Sequence, residues 1–285
     1  MKRFYAGFLA VGVVMLVLTG CGRGRSQRGG DDNTLRIIGS NTVTPISTAW
    51  AEGFMKKNPK VNVSVSGPGS GPGIAAVIDN NTDIGQASRK IREAEISRAK
   101  ENGVDVVETI IAWDGLAVLV NRKNPVNELT MEQLKNIYLG RITNWSEVGG
   151  NDQEIVVVSR DTASGTHVFF REVVLEKGEF TQKALFLPST STGVNEVSNN
   201  AAAVFYAGLG YVTKDVKVVG IKANEGASAV RPSIKTVNDK SYTLARPLFY
   251  YTNGAPKGLA KSFIEYGMTA EGKALVEKLG FVPLP

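Results

Sequence analysis

Between the apolar, strand-like run Ile155 to Val158 and the helix-like segment His167 to Lys177 lies the stretch Ser159-Arg160-Asp161-Thr162-Ala163-Ser164-Gly165-Thr166. An arginine at a strand end, then a turn of small hydroxyl residues and glycine, then a helix start offers one anion a guanidinium fork, hydroxyls and unpaired backbone N–H groups. Two earlier turns repeat this chemistry: Gly39-Ser40-Asn41-Thr42-Val43-Thr44-Pro45 and Gly67-Pro68-Gly69-Ser70-Gly71-Pro72-Gly73, each leaving a strand and entering a helix. Ser and Thr are also ordinary N-caps, so a single such turn decides nothing. Three strand-turn-helix units in one chain, one of them carrying an arginine, point to an oxyanion site.

The same residues argue against other chemistries. No G-x-x-x-x-G-K-[ST] occurs, and the Gly67 to Gly73 turn holds prolines with no lysine after it, which disfavours a nucleoside triphosphate. With one histidine, one cysteine and no clustered carboxylates, no metal site and no cofactor are expected. A hydrolase triad built on Ser164, His167 and an aspartate is a weak reading. Ala163-Ser164-Gly165 forms no G-x-S-x-G elbow, and His167 stands at the same helix start. Trp113, Tyr138 and Trp145 are expected to pack cores or lobes instead of stacking on a ligand.

Those turns need a scaffold to bring them together. Leu35 to Gly39 reads as a strand, Thr44 to Lys57 as a helix with apolar residues at helical spacing, and Val61 to Ser66 as a second strand. Helix Ile74 to Asp79, a strand beginning at Thr82 and helix Glu93 to Glu101 follow. Downstream come helices at Thr130 to Tyr138, at His167 to Lys177 and around Val194 to Asn200, and Gly208 to Val212 reads as a turn into a strand. Helices at Lys257 to Tyr266 and Glu271 to Leu279 close the chain. Alternating strands and helices predict α/β layers. Two long apolar runs, Thr109 to Asn121 and Leu244 to Tyr251, are able to cross between lobes. The expected architecture is a two-lobed α/β fold with two crossover strands and a ligand cleft between the lobes, where pockets commonly form. Residues 34–113 plus 245–285 would form lobe I and residues 114–244 lobe II.

The N-terminal end reads as a targeting segment. Lys2 and Arg3 precede an apolar run from Phe4 to Leu18, ending at Leu18-Thr19-Gly20-Cys21. This is a secretory signal over residues 1–20; a membrane-spanning anchor is the weaker reading because the run is short. The tetrad resembles a bacterial lipobox, with Cys21 as the lipidated first residue of the mature chain. Cys21 is the sole cysteine, so no intramolecular disulfide can form. Residues 21–33, rich in Gly, Arg, Ser and Asp, would be a flexible tether. The net charge of +6 includes Lys2, Arg3, Arg23, Arg25 and Arg28, so the folded body is only mildly basic. Its lysines form no stripe with interleaved aromatics, and nucleic-acid binding is not expected.

Taken together, the turns resemble those of the PstS-type phosphate-binding lipoproteins of bacterial ABC phosphate importers. The resemblance runs through Gly39 to Pro45, Gly69 to Ile74, Asp83 to Arg89, Leu134 to Trp145, Arg160 to Thr166 and Gly208 to Val212. It implies a non-enzymatic, lipid-anchored monomer on the extracytoplasmic face, a membrane permease as partner, and phosphate as ligand. By the same resemblance Arg160 would donate charge-assisted bonds, with Ser164, Gly165 and Thr166 supplying donors from the second lobe and Ser70 from the first. The first turn would contribute either the Ser40 and Thr42 hydroxyls or the Val43 and Thr44 amides. One departure stands out: Ser88, before Arg89, occupies the place of an aspartate that accepts the proton of the phosphate ion. Another acceptor is then needed to refuse fully ionised sulfate, and Asp161, Asp114 and the Ser88 hydroxyl itself are candidates. A carrier of sulfate or molybdate, a secreted phosphoesterase using Ser164 and His167, and a signalling or adhesive surface protein are the rival expectations.

Overall fold

The computed structural model describes residues 33–285; the signal segment, Cys21 and all but the last residue of the tether lie outside the described residues. The first lobe opens with β1, Thr34–Gly39, whose alternate residues Leu35 and Ile37 point into the core. Helix α1, Thr44–Lys57, carries Pro45 in its first turn, where a missing N–H leaves nothing unsatisfied. It buries Ile46, Trp50 and Phe54, and Trp50 meets Tyr250 and Phe263 edge-on. Each such large side chain stabilises the fold by roughly 1.5–3 kcal/mol on leaving water. Then come β2, Asn62–Ser66, α2, Ser70–Ile78, the wholly buried β3, Ile84–Ala87, and α3, Glu93–Glu101.

Helix α2 starts at Ser70, four residues earlier than the glycine-proline pattern predicts. Pro72 falls within its first turn, where no intrahelical N–H is called for, and Gly69 before it adopts a φ of 131°, open to glycine alone. Ser70 thereby becomes a helix N-terminal residue instead of a loop residue.

The longest strand, β4, Val106–Asn121, links the lobes. The second lobe holds β5, Glu128–Thr130, α4, Met131–Tyr138, β6, Val156–Arg160, α5, Gly165–Val173, β7, Leu185–Leu187, α6, Thr190–Asn199, β8, Ala203–Gly208, β9, Val216–Lys222, and α7, Ile234–Asn238. Strand β10, Ala245–Asn253, returns to the first lobe, where α8, Gly258–Met268, and α9, Ala270–Lys278, complete the packing. A short 3-10 turn at Leu209–Tyr211 stands between Gly208 and the strand expected after it.

The strands run in the order β2-β1-β3-β10-β4-β8-β6-β7, with β9 pairing to both β4 and β5. β4 makes the crossing: Val106 to Gly115 pairs antiparallel with β10, while Leu116 to Asn121 pairs with β8 and β9. Apolar clusters lie on either side of that crossing, one set built on β1, α1, β3, α2 and β10, the other on β6, β8, α4 and α5. Both lobes belong to one packed unit, Asn33–Pro285. Tyr138 and Trp145 are buried as expected, the latter donating to Ala202 O at 2.8 Å. Trp113 departs from expectation. Its backbone pairs with Val282 while the residue stays 37% exposed.

Candidate functional site

Where β1, α2, β3 and α5 end or begin, five hydroxyls converge, all of them buried: Ser40, Thr42, Ser70, Ser88 and Thr166. Ser88 Oγ is their hub. It accepts from Ser40 Oγ at 3.0 Å and lies 3.4 Å from Ser70 Oγ and 3.5 Å from Thr166 Oγ1, while its own N–H donates to Ser70 Oγ at 3.0 Å. Thr42 Oγ1 and Thr166 Oγ1 share a hydrogen bond of 2.9 Å across the lobes. Gly165 lets this approach happen, since a Cβ there would collide with Ser70 Oγ and stand 2.8 Å from Ser88 Oγ. A backbone bond and a side-chain bond tie the same faces together: Gly71 N donates to Ala163 O at 3.1 Å and the Tyr211 hydroxyl donates to Asn41 O at 2.5 Å. Small hydroxyls that donate and accept, brought to one point from the three turns and the end of β3, can surround a tetrahedral oxyanion.

Two arginines, Arg160 and Arg246, are buried in the same packed unit as this cluster. Arg160, 1% exposed, donates through Nε to Leu187 O at 3.1 Å, through Nη1 to Thr190 Oγ1 at 2.7 Å and through Nη2 to Pro188 O at 2.8 Å. Arg246 comes from β10 and was not singled out in the sequence. Its Nη2 donates to Thr166 Oγ1 at 3.0 Å and its Nη1 to Ser88 O at 3.1 Å. Behind it, Nε and Nη2 both reach Asp114 Oδ2, at 3.1 and 2.9 Å. Asp114 and Arg246 are cross-strand partners on β4 and β10, so the pairing register itself brings them together. Burial pushes the Asp114 carboxyl up against the opposing pull of Arg246 and the Leu209 amide. Both arginines are drawn below their usual range, first by burial.

The remaining candidates fall into place around the cluster. The Val43 and Thr44 amides both donate to Ser40 O at 3.1 Å, so of the two options for the first turn the hydroxyls face the cluster. Thr44 Oγ1 also bonds Ser40 O and accepts from Gln86 Nε2. Ser164 caps α5, its oxygen accepting from the N–H groups of Thr166 and His167 at 3.2 and 3.3 Å. The His167 ring faces Ser159 Oγ at 3.3 Å and stacks on Phe180, so it does not form a pair with Ser164. Asp114 has both oxygens engaged, Oδ1 with Leu209 N at 3.0 Å. Asp161 Oδ1 is buried with no hydrogen-bond partner among the described residues. Arg89 turns to Glu95, with bonds of 2.6 and 2.8 Å. No cluster of metal-ligating side chains is found among the described residues.

A family model described as PBP superfamily domain matches residues 25–271. A phosphate-binding protein PstS of Staphylococcus saprophyticus is 35% identical over 98% of this chain and 89% of its own length. The chain belongs to the PstS group of the PBP superfamily. A second member of that group, the phosphate-binding protein PstS of Pseudomonas aeruginosa, is 29% identical over 90% of this chain and 84% of its own. Among solved structures, a Clostridium perfringens substrate-binding protein of phosphate ABC transport, with bound phosphate, superposes at a TM-score of 0.79. It is 34% identical and covers 89% of this chain and 100% of its own.

Arg246 on β10, which bonds Thr166 and Ser88 of the cluster, is a residue that sequence reasoning missed. The signal was there: Arg246 interrupts the apolar run Leu244 to Tyr251, and Asp114 interrupts Thr109 to Asn121. A lone charge inside each of two buried runs must find a partner, and the opposite signs name it.

Proposed function

We propose that the chain captures inorganic phosphate between its lobes and delivers it to the membrane subunits of an ABC importer. The carrying observation is the convergence of Ser40, Thr42, Ser70 and Ser88 with Gly165 and Thr166 from the facing turn. Phosphate would exchange these hydroxyl–hydroxyl bonds for bonds to its own oxygens, with Arg160 and the α5 N-terminus, capped by Ser164, supplying positive potential. Residues 34–113 plus 245–285 would move against 114–244, and closure would expel water from around the ion and present the form that the permease engages. The names of the relatives and the phosphate-bound neighbour support this reading. Cys21 would carry the lipid anchor that holds a monomeric protein at the extracytoplasmic membrane face; acyl mass on the N-terminal peptide checks it, and an unmodified cysteine contradicts it. No catalysis is proposed, in keeping with a Ser164 oxygen held as a helix cap and a His167 ring turned to Ser159.

Ser88 favours a second reading beside the first. A carboxylate at the hub would only accept, whereas a serine hydroxyl both accepts and donates, so it can serve hydrogen phosphate or a fully ionised anion. Sulfate is then refused less strictly than by a site with a fixed acceptor. Calorimetric titration with phosphate at two pH values, with sulfate and molybdate as competitors, tests both. Phosphate binding that sulfate weakens only at excess supports the proposal; preference for sulfate or molybdate keeps the carrier and replaces its ligand; no heat with any of the three overturns the function.

A further inference from the structure

We propose that Arg246, held by Asp114, is a guanidinium that meets the bound anion directly, a role that lies outside the three hydroxyl turns. The assignment rests on the cleft being an oxyanion site and adds a contact and its positioning residue. The guanidinium has five N–H donors. Four of them are accounted for by Asp114 Oδ2, twice, by Thr166 Oγ1 and by Ser88 O. It therefore sits one hydrogen bond behind the hub, touching a hydroxyl of one lobe and a carbonyl of the other. An oxyanion among Thr42, Ser88 and Thr166 reaches Nη2 by taking over its bond to Thr166 Oγ1. Arg160 sends its bonds to the Leu187 and Pro188 carbonyls and to Thr190, none of them a member of the hydroxyl cluster.

Three observations argue that this pair is built for a ligand and not for stability alone. Arg246 is 2% exposed and Asp114 0%, and a buried ion pair is often no more stabilising than well-packed apolar residues of the same volume. The fork is fixed from every side: by Asp114, by the Ser88 carbonyl and by the Phe169 ring, whose centroid lies 5.2 Å away. The pair also stands at the crossing, where β4 and β10 run from lobe to lobe, so its position does not depend on either hydroxyl turn alone. Asp114 is a positioning residue in this scheme. It orients the fork and cancels much of its charge, leaving direction as the chief contribution of Arg246.

Wild-type protein and variants are titrated calorimetrically with phosphate, sulfate and molybdate, with near-UV circular dichroism recording the fold. Arg246→Lys keeps the charge opposite Asp114 but loses the planar fork, and its Kd for the preferred anion should rise about tenfold or more. The double variant R246M with D114N removes both charges together and should rise about a hundredfold or more. Asp114→Asn leaves the guanidinium in place and adds one positive charge to the site. The ratio of phosphate Kd at about pH 6 to that at about pH 8 should then rise about threefold, as the dianion gains. A folded Lys or double variant binding within about threefold of wild type overturns the assignment of Arg246. An unchanged pH ratio for Asp114→Asn overturns the part given to Asp114. If the double variant loses its near-UV spectrum, the Lys variant decides by the same limits. Wild-type protein that binds none of the three anions fails at the oxyanion reading itself and takes this assignment with it, an outcome distinct from normal wild-type binding with unaffected variants.

Discussion

Arg160 at the end of β6 and Arg246 on β10 are both buried, yet their guanidiniums are satisfied by different partners. Arg160 donates to two backbone carbonyls and a threonine hydroxyl, all neutral. Arg246 shares two of its bonds with the Asp114 carboxylate. Arg160 is offset through space by the Asp161 carboxylate but has no direct ion pair, whereas an arginine bonded to a carboxylate is nearly cancelled at a distance and acts chiefly on what it touches. Two unit charges about 4 Å apart interact by about 4 kcal/mol at an effective dielectric of about 20, so the difference is large at the range of a buried hub. In the proposed site the β6 wall would supply attraction and the crossing direction.

That contrast can be broken by asking which property each residue carries. Asp114→Ala should act on stability first. It strands a buried guanidinium and is expected to lower the unfolding free energy by about 3–5 kcal/mol, read from urea denaturation. A loss below about 1 kcal/mol would mean the pair is open to water. Arg160→Ala should act on capture first, weakening phosphate by about 2–5 kcal/mol in calorimetry, because the site loses a cation that no carboxylate hydrogen-bonds. Affinity within a few-fold of wild type would reverse the division of labour drawn here. Ser70→Ala sharpens the comparison by removing a neutral donor from the hub, and a loss of about 1–3 kcal/mol in phosphate affinity is expected. An unchanged affinity would remove Ser70 from the site.

The smallest effect concerns His167, which packs beside the β6 wall and is the chain's one histidine. Burial holds its pKa below the usual 6.5; Arg171 adds to the effect, and the Arg160 backbone, Asp161 and Glu179 oppose it. The folded state therefore disfavours the protonated ring while the unfolded chain takes up its proton near 6.5. Stability should be fully present above that value and decline as pH falls below it toward the lowered folded pKa. Urea midpoints above and below 6.5 read this slope, and His167→Gln should flatten it; an identical slope in that variant would assign it to other groups.

The α/β alternation and both crossing runs were legible because helical and strand periodicities are local, and Thr109 to Asn121 and Leu244 to Tyr251 are β-rich apolar stretches bounded by polar residues. The hydroxyl turns were legible for the same reason, since each strand-turn-helix unit is contiguous in sequence. The start of α2 was not, because glycine and proline read as turn residues even where they occupy a helix's first turn. Nor was Arg246, whose partner Asp114 is 132 residues away and becomes adjacent only through the antiparallel register of β4 and β10. The exposure of Trp113 escaped notice too, because a strand crossing between two cores offers its side chains no single inside.

A crystal structure of the protein grown with phosphate tests the central claim most directly. The account predicts one tetrahedral ion within hydrogen-bond distance of Ser70 and Ser88 from one lobe and Thr166 from the other, with an Arg246 nitrogen among its donors. An ion that touches one lobe only, or that lies away from the Ser88 hub, would contradict it.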